Sequence, residues 1–515
     1  MKTRIIILSV VSALTFGGCK AWTDMETSLL HVDPIGKSTV ASFLGTVEGY
    51  QAAGEGMHYR LYQLYDKDYV RYAEIMGDLL KITVDANEGD YLAFNYQLEA
   101  EHVATYPRNI WTEGWSAITE TNNLLYYGPD LKKNCANDAQ KAIVDRAMAY
   151  AYFGRALAHM ALCNCYGQPY NFTDTHDHLG VPIVDFIPKY TDVLGRKSVA
   201  KVYAKIIEDI EAAMDIFQKI SANYGADGEK YAQINSITDC YHISYIACEA
   251  LLARVYLYME NWDKAAEYSD KVIKKVQLSP RDEYVNMFRE SQDNPGKEAI
   301  LRLNGYDKTP STGNLFDPAR TPSFEPVPAL SNRFDASDIR KELLTYVGEP
   351  TEPEMYAGKS FPAVCKFLYR KSIGAEEKHC NDHFVLRCSE MYLIHAEASA
   401  QNNDITSAVN DLKAIIGRAT GVAASAVTIS ASTKDQVLSL VADERVKELC
   451  FEGHRLFDIT RRKENLVRSN GCGARSDALT INYPNNRFVL PIDRMELQSN
   501  PNMQQNPGYQ EYTAQ

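Results

Sequence analysis

Apolar residues recur three and four positions apart through most of this chain, the spacing that gathers them on one face of a helix. The pattern predicts helices over 38–65, 112–127, 138–166 and 198–221. Between them stand breakers: Gly128-Pro129, Gly167-Gln168-Pro169 and the run from Gly180 to Pro188. Alternation of period two is scarce, and only Val181 to Phe186 and Phe488 to Pro491 read as short strands. Over 444–462, Val446, Leu449, Cys450, Gly453, Leu456 and Phe457 make one apolar helical face. Glu448, Glu452 and Arg455 stand at spacings that allow ion pairs along that helix, with Arg461, Arg462 and Lys463 near its C-terminal end, where cations suit the helix dipole.

One interval repeats. Leu252-Ala253 is followed by Tyr256, the turn Glu260-Asn261-Trp262 and Ala265; downstream, Tyr392, Ala396, Ala408 and Leu412 repeat the same small-to-small step of twelve. Small residues facing across two antiparallel helices let the backbones approach closely. The interval resembles a tetratricopeptide helix pair, so the expected fold is mainly α, with such pairs stacked into a right-handed scaffold. The stretch 304–384 differs, with Pro310, Pro318, Pro322, Pro326, Pro328, Pro350, Pro353 and Pro362 among aromatics (Tyr306, Phe316, Phe324, Phe334, Tyr346, Tyr356). A loop-rich segment of that length is uncommon without a function, and its aromatics predict ordered loops laid over the helices.

The N-terminus changes the picture of where the chain works. Lys2 and Arg4 precede an apolar run from Ile5 to Phe16, closed by Gly17-Gly18-Cys19. That is the layout of a secretory signal, too short to span a bilayer, and the Cys after two glycines resembles a bacterial lipobox. The expectation is cleavage after residue 18, acylation of Cys19 and a mature chain held to a membrane by its lipid. Losing Lys2 and Arg4 takes the formal charge from −13 to −15, a balance that repels nucleic acid. A hydrophobic fraction of 45% supports a real core. Of the eleven cysteines, Cys163 and Cys165 point to different helix faces, and Cys240, Cys248, Cys388 and Cys450 sit in apolar settings suited to buried thiols. Disulfides are open to an exported chain, but no C-x-x-C pair occurs.

Three C-terminal segments carry a family resemblance. Leu386-Arg387-Cys388-Ser389-Glu390-Met391-Tyr392-Leu393-Ile394-His395-Ala396-Glu397-Ala398 resembles a helix motif of the SusD/RagB family, and Glu444 to Asp458 resembles its E-R-x-x-E-L-x-F-E-G-x-R segment. Leu490-Pro491-Ile492, Asn500-Pro501-Asn502 and Gln505-Asn506-Pro507-Gly508-Tyr509 are similar to its closing motif, read here as an ordered extended arm. Tyr166-Gly167 and Gly180-Val181-Pro182-Ile183-Val184 are weaker echoes. The resemblance implies a signal over 1–18, a SusD-like N-terminal helical region over 19–225, and a SusD/RagB-like C-terminal region over 226–515 that carries the 304–384 insertion in one compact unit. It implies an outer-membrane, surface-exposed lipoprotein that binds glycans, or peptides in the RagB branch. Such a protein serves as the lid of a SusC-like TonB-dependent transporter and is not an enzyme. A glycoside hydrolase would need two carboxylates about 5–9.5 Å apart; no H-E-x-x-H, G-x-S-x-G or P-loop pattern occurs. A scaffold binding only proteins fits the lipobox and the aromatic loops less well.

Glycan recognition needs flat aromatic faces against sugar C–H faces and planar polar groups for hydroxyls. The chain holds 33 Tyr and 4 Trp. Two clusters combine the types: Asp90 to Tyr96, with Tyr91, Phe94, Asn95 and Tyr96, and the segment 304–324, with Tyr306, Asn314, Phe316, Arg320 and Phe324 beside Asn304. In the family the first region commonly feeds the binding face. Trp111 and Trp115 read as core. Asp174-Thr175-His176-Asp177-His178 reads as a polar surface loop, and Ca²⁺ is the ion its aspartates would suit; no cofactor is otherwise expected.

Overall fold

The computed structural model describes residues 39–512 except 103–104, 190, 290–293, 306–310, 317–321, 349, 351–353, 356 and 368–381. The expected signal and Cys19 lie outside the described residues. The long helices are α1 (Val47–Leu64), α3 (Tyr106–Lys133), α4 (Asp138–Tyr166), α5 (Val199–Asn223), α6 (Tyr245–Tyr258), α7 (Trp262–Ile273), α8 (Cys388–Gln401), α9 (Ile405–Thr420) and α10 (Lys434–Leu449). The short helices α2 (Glu88–Phe94) and α11 (Arg455–Arg461) complete the set used below. No helix among the described residues is long and apolar enough to cross a membrane.

The chain is mainly α, and the repeated interval marks real helix pairs. α6 packs on α7, α8 on α9, and α7 on α8, so the two pairs stack. Ala253, Ala265, Ala396 and Ala408 are all fully buried. The two turns are conformational copies. Glu260 and Asn403 take positive φ (57° and 64°). The side chains of Asn261 and Asp404 then accept from Lys264 and Ser407 N–H to cap the next helix.

Elsewhere the sequence reading needs correction. The segment read as one helix over 38–65 is a short turn of helix (Val40–Leu44), a break, then α1, which runs through a π-helical turn (Tyr65–Tyr69) into Val70–Ile75. The helix expected to stop at Gly128-Pro129 continues to Lys133. Gly128 is needed there because a Cβ would fall 2.3 Å from the Tyr50 hydroxyl, which donates to Leu124 O at 2.6 Å. Packing of α3 against α1 and α4 outweighs the interior proline. Val181 to Phe186 forms no strand: its backbone is extended but spent on other partners, Lys197 N–H donating to Val181 O and Asn122 Nδ2 to Val184 O and Phe186 O. Phe488 to Pro491 likewise pairs with no strand; Phe488 ends a 3-10 turn and Leu490 N–H donates to Cys165 O.

The strands are short and form two-stranded antiparallel ladders: β1 (Leu80–Ile82) with β3 (Phe324–Pro326), and β2 (Ala299–Leu303) with β6 (His383–Arg387). Two smaller ones join β4 (Thr345–Val347) to β5 (Ser360–Pro362) and β7 (Leu466–Val467) to β8 (Thr480–Ile481). Phe316, Phe324 and Phe334 turn inward and are buried, which pins the described parts of 304–384 onto the helices. The closing arm is fastened by Arg196, which donates to Gln504 O, Asn506 Oδ1, Tyr166 O and Gly180 O. The nine described cysteines are free thiols, Cys163, Cys165, Cys240, Cys248, Cys388 and Cys450 among the buried ones.

The 444–462 segment is two helices rather than one. After α10 ends at Leu449 the chain reverses through Phe451 (φ 69°) and Gly453 (φ 85°). The buried Glu74 carboxylate accepts from the N–H groups of Phe451, Gly453 and His454 at 2.8–3.1 Å. The charged residues therefore pair across the fold instead of along a helix surface. Glu448 accepts from Arg340, Arg387 and Arg418, Glu452 from Lys366 and Arg387, and Arg455 pairs with Asp78. Arg461 does stand in the last turn of its helix, α11, but it is buried there, forking onto Glu397 and holding Asp458.

This network sets an acid limit. Burial acts to raise Glu448, but Arg418, Arg387 and Arg340 hold it well below the usual carboxylate range, and Glu452 is lowered by Arg387 and Lys366 against the same desolvation. A carboxylate depressed in the folded state stabilises it above its unfolded pKa, and that contribution is lost as pH falls through the folded value. The melting temperature is expected to drop steeply below about pH 4, and Glu448→Gln to flatten the drop. A melting temperature that holds steady down to pH ~3 would contradict this role for the network.

Candidate functional site

The β1–β3 ladder, in which Ile82 pairs with Phe324, sets Phe324 of the second aromatic cluster against Phe94 of the first. Thr83 N–H continues the contact onto Ser323 O at 3.0 Å. On the other side of β1, Ile82 N–H donates to Cys472 O at 2.9 Å. That approach requires a glycine: a Cβ on Gly473, whose φ is +83°, would meet Ile82 Cγ2 at 2.7 Å. Three segments, 83–91, 322–325 and 472–477, thus converge at the end of β1.

Within this convergence most of the proposed ligand residues prove to be structural. Phe94 is fully buried, 5.6 Å from the buried ring of Phe324, with the Arg468 guanidinium 3.9 Å from its ring centre. Tyr96 is buried, with positive φ and its hydroxyl donating to Met76 O at 2.5 Å. Asn95 is buried too; its side chain accepts from Arg475 N–H at 2.8 Å and donates to Tyr91 O at 3.0 Å, fastening 472–477 to α2. Phe316 is fully buried between Phe367 and Phe451. The reading of Phe94, Asn95, Tyr96, Phe316 and Phe324 as ligand contacts is therefore corrected: none presents a face to solvent. Apolar period-three spacing serves core and platform alike, so composition could not separate them.

Asn314 is half-buried with its Oδ1 unpartnered. Tyr306 and Arg320 lie outside the described residues.

Tyr91 is the exception, 41% exposed. Asn87 caps α2, its Oδ1 accepting from Asp90 N–H at 2.9 Å and its Nδ2 donating to Asp90 at 2.6 Å. Asp90 is anchored by Arg71 and Tyr106. With Asp90 and Asn95 both held inside, the helix turns Tyr91 outward. Beside it lies Arg475, whose Nε and Nη2 meet the two oxygens of Asp477 at 3.0 and 3.2 Å. Asp477 raises the Arg475 pKa, with Tyr91 a further contributor. An exposed ring next to a planar, two-bond ion pair offers what a sugar needs: a flat apolar face, with donors and acceptors at its edge. Sequence reading missed Arg475 and Asp477; the glycine-rich turn Gly471-Cys472-Gly473 just before them was the available signal.

One cavity lies elsewhere, lined by Asn164, Gln168, Tyr203, Tyr258, Phe457 and Arg461 among others. Its Arg461 is already spent on Glu397 and Asp458. Trp111 is buried, packed edge-on against Tyr166 and Trp115. In the 174–178 loop His176 stacks on Tyr170 and bonds its carbonyl, and His178 meets Thr173 and Gln168, so both imidazoles serve the loop itself. Among the described residues no group of three or more His, Cys, Asp or Glu is placed to hold a metal ion.

Comparison with known proteins gives consistent results. The sequence profile of the SusD family matches residues 354–509, and one described as starch-binding and associating with the outer membrane matches residues 55–257. SusD-like protein P2 of Formosa agariphila is 23% identical, over 98% of this chain and 99% of its own length. A SusD superfamily protein of Bacteroides vulgatus superposes with a TM-score of 0.74 at 23% identity, over 90% of this chain and 100% of that one. A laminarin-binding SusD-like protein does so at 0.66 and 21% identity, over 89% and 99%.

Proposed function

This chain belongs to the SusD/RagB family, and from that premise we propose that it is a cell-surface lipoprotein that binds glycans and passes them to a SusC-like TonB-dependent transporter. The observation that carries the reading is the exposed Tyr91 ring beside the planar Arg475–Asp477 pair, on a fold shared with a laminarin-binding SusD-like protein. An open face of this kind suits a chain-like ligand, which lies along a surface instead of entering a closed cavity. Binding without catalysis is supported by the fate of the acid-rich motif: Glu444, Glu448, Glu452 and Asp458 are all buried and paired with Arg or Lys. None is left as an acid and base across a cleft. Peptide binding, the RagB alternative, draws on no feature of this face that glycan binding does not use better.

A glycan array on the full chain, followed by product analysis of every binder, tests the proposal. Retained oligosaccharide with no new reducing ends is the expected result; turnover would make the protein an enzyme. The anchor is tested separately. Cys19→Ser is expected to release the protein from membranes and abolish palmitate labelling, with the melting temperature unchanged. Palmitate entering the variant as it does the parent would disprove anchoring at Cys19.

A further inference from the structure

The charge around Tyr91 narrows the class of glycan, given the reading that this face binds one. Asp85 and Glu88 are exposed on the approach to α2 and in its first turn, and Asp477 is exposed on the 472–477 segment. Over 83–91 and 472–477 the basic side chain is Arg475, and its bonds to both oxygens of Asp477 neutralise it in place. Counting exposed groups, three carboxylates stand against one guanidinium, a local charge of −2. The nearby Lys81 is already paired with Glu325 at 3.1 Å, and the buried Asp90 is matched by Arg71. The whole chain adds a field of the same sign, with a formal charge of −13.

We propose that this face takes an uncharged glycan, and that Asp85 and Glu88 reject chains bearing uronate or sulfate. An uncharged sugar stacks on Tyr91 and meets hydroxyl-matching donors and acceptors at Arg475 and Asp477 without disturbing either. A polyanion brings repeated negative charges toward Asp85 and Glu88, and over 83–91, 322–325 and 472–477, among the described residues, no unpaired cation stands to receive them. Among the described residues of these segments, an ion pair would require displacing Asp477 from Arg475, which leaves another carboxylate unpaired.

The test uses the full chain against laminarin, starch, polygalacturonate and dextran sulfate, at about 20 and about 500 mM salt. Binding of laminarin or starch is expected, with affinity changing less than about twofold between the two salts, and no binding of either polyanion. The double variant Asp85→Lys/Glu88→Lys turns the local count from −2 to +2. It is expected to keep the uncharged ligand within about twofold and to gain polygalacturonate binding that salt abolishes. A parent chain that binds either polyanion, or a double variant that gains nothing, overturns the proposal. Failure to bind any glycan removes the glycan reading beneath it, a result distinct from binding of the wrong class.

Discussion

Arg387→Ala is expected to cost about 3–5 kcal/mol of folding stability, read as a lowered denaturation midpoint with its slope unchanged. Arg387 is 1% exposed and uses every donor it has. Its Nη1 reaches Glu298, Glu448 and Ser389 at 2.6–2.7 Å, its Nε reaches Glu452 at 2.8 Å, and its Nη2 reaches Glu448 O and Glu452 at 2.7–2.9 Å. Alanine leaves Glu298, Glu448 and Glu452 buried beside Arg418, Arg340 and Lys366, and Arg340 is shared with two more carboxylates, Asp338 and Glu444, so the cluster is left short of a cation. The cost comes from the uncompensated charge more than from the lost attraction, since desolvation has already been incurred by every partner. Arg387→Lys is expected to recover only part of it, because an ammonium cannot reproduce the planar fork. An unchanged midpoint for the alanine variant would mean the network is not the hub its geometry indicates.

Phe457→Ala is expected to cost about 3–5 kcal/mol as well, by a different route. The ring is 5% exposed and stacks on Tyr69 at 5.6 Å, with Tyr72 beyond it at 6.4 Å. It also forms one wall of the cavity that Tyr203 and Tyr258 line. Removing it enlarges a void that already exists, and the neighbouring rings are held by their own partners, so collapse cannot recover the contacts. Thermal and chemical denaturation should agree on the loss; no change would put Phe457 outside the core.

Periodicity revealed most of the scaffold. The helix over 138–166 ends where its pattern ends, and the alanine interval located both stacked pairs, because close backbone approach leaves a mark in residue size. It did not reveal where long-range bonds override local preference. Glu74, some 380 positions upstream of His454, decides that 444–462 breaks in two, and no local spacing carries that information. The candidate site was legible in the same partial way. Phe94 and Phe324, one from each aromatic cluster, do meet, yet burial separates Tyr91 from Phe94, Tyr96, Phe316 and Phe324 through contacts with Arg468, Met76 and Phe367. Arg475 and Asp477 join Tyr91 from almost 400 positions away, by way of Gly473 and the edge of β1.

Calorimetric titration of Tyr91→Ala with laminarin, or with the glycan an array returns, tests the binding face most directly. The expected result is an affinity about tenfold or more weaker than the parent's, with stability unchanged to within about 0.5 kcal/mol, as for an exposed side chain outside the core. Parental affinity in the Tyr91→Ala protein would contradict the assignment of this face, whatever else the fold binds.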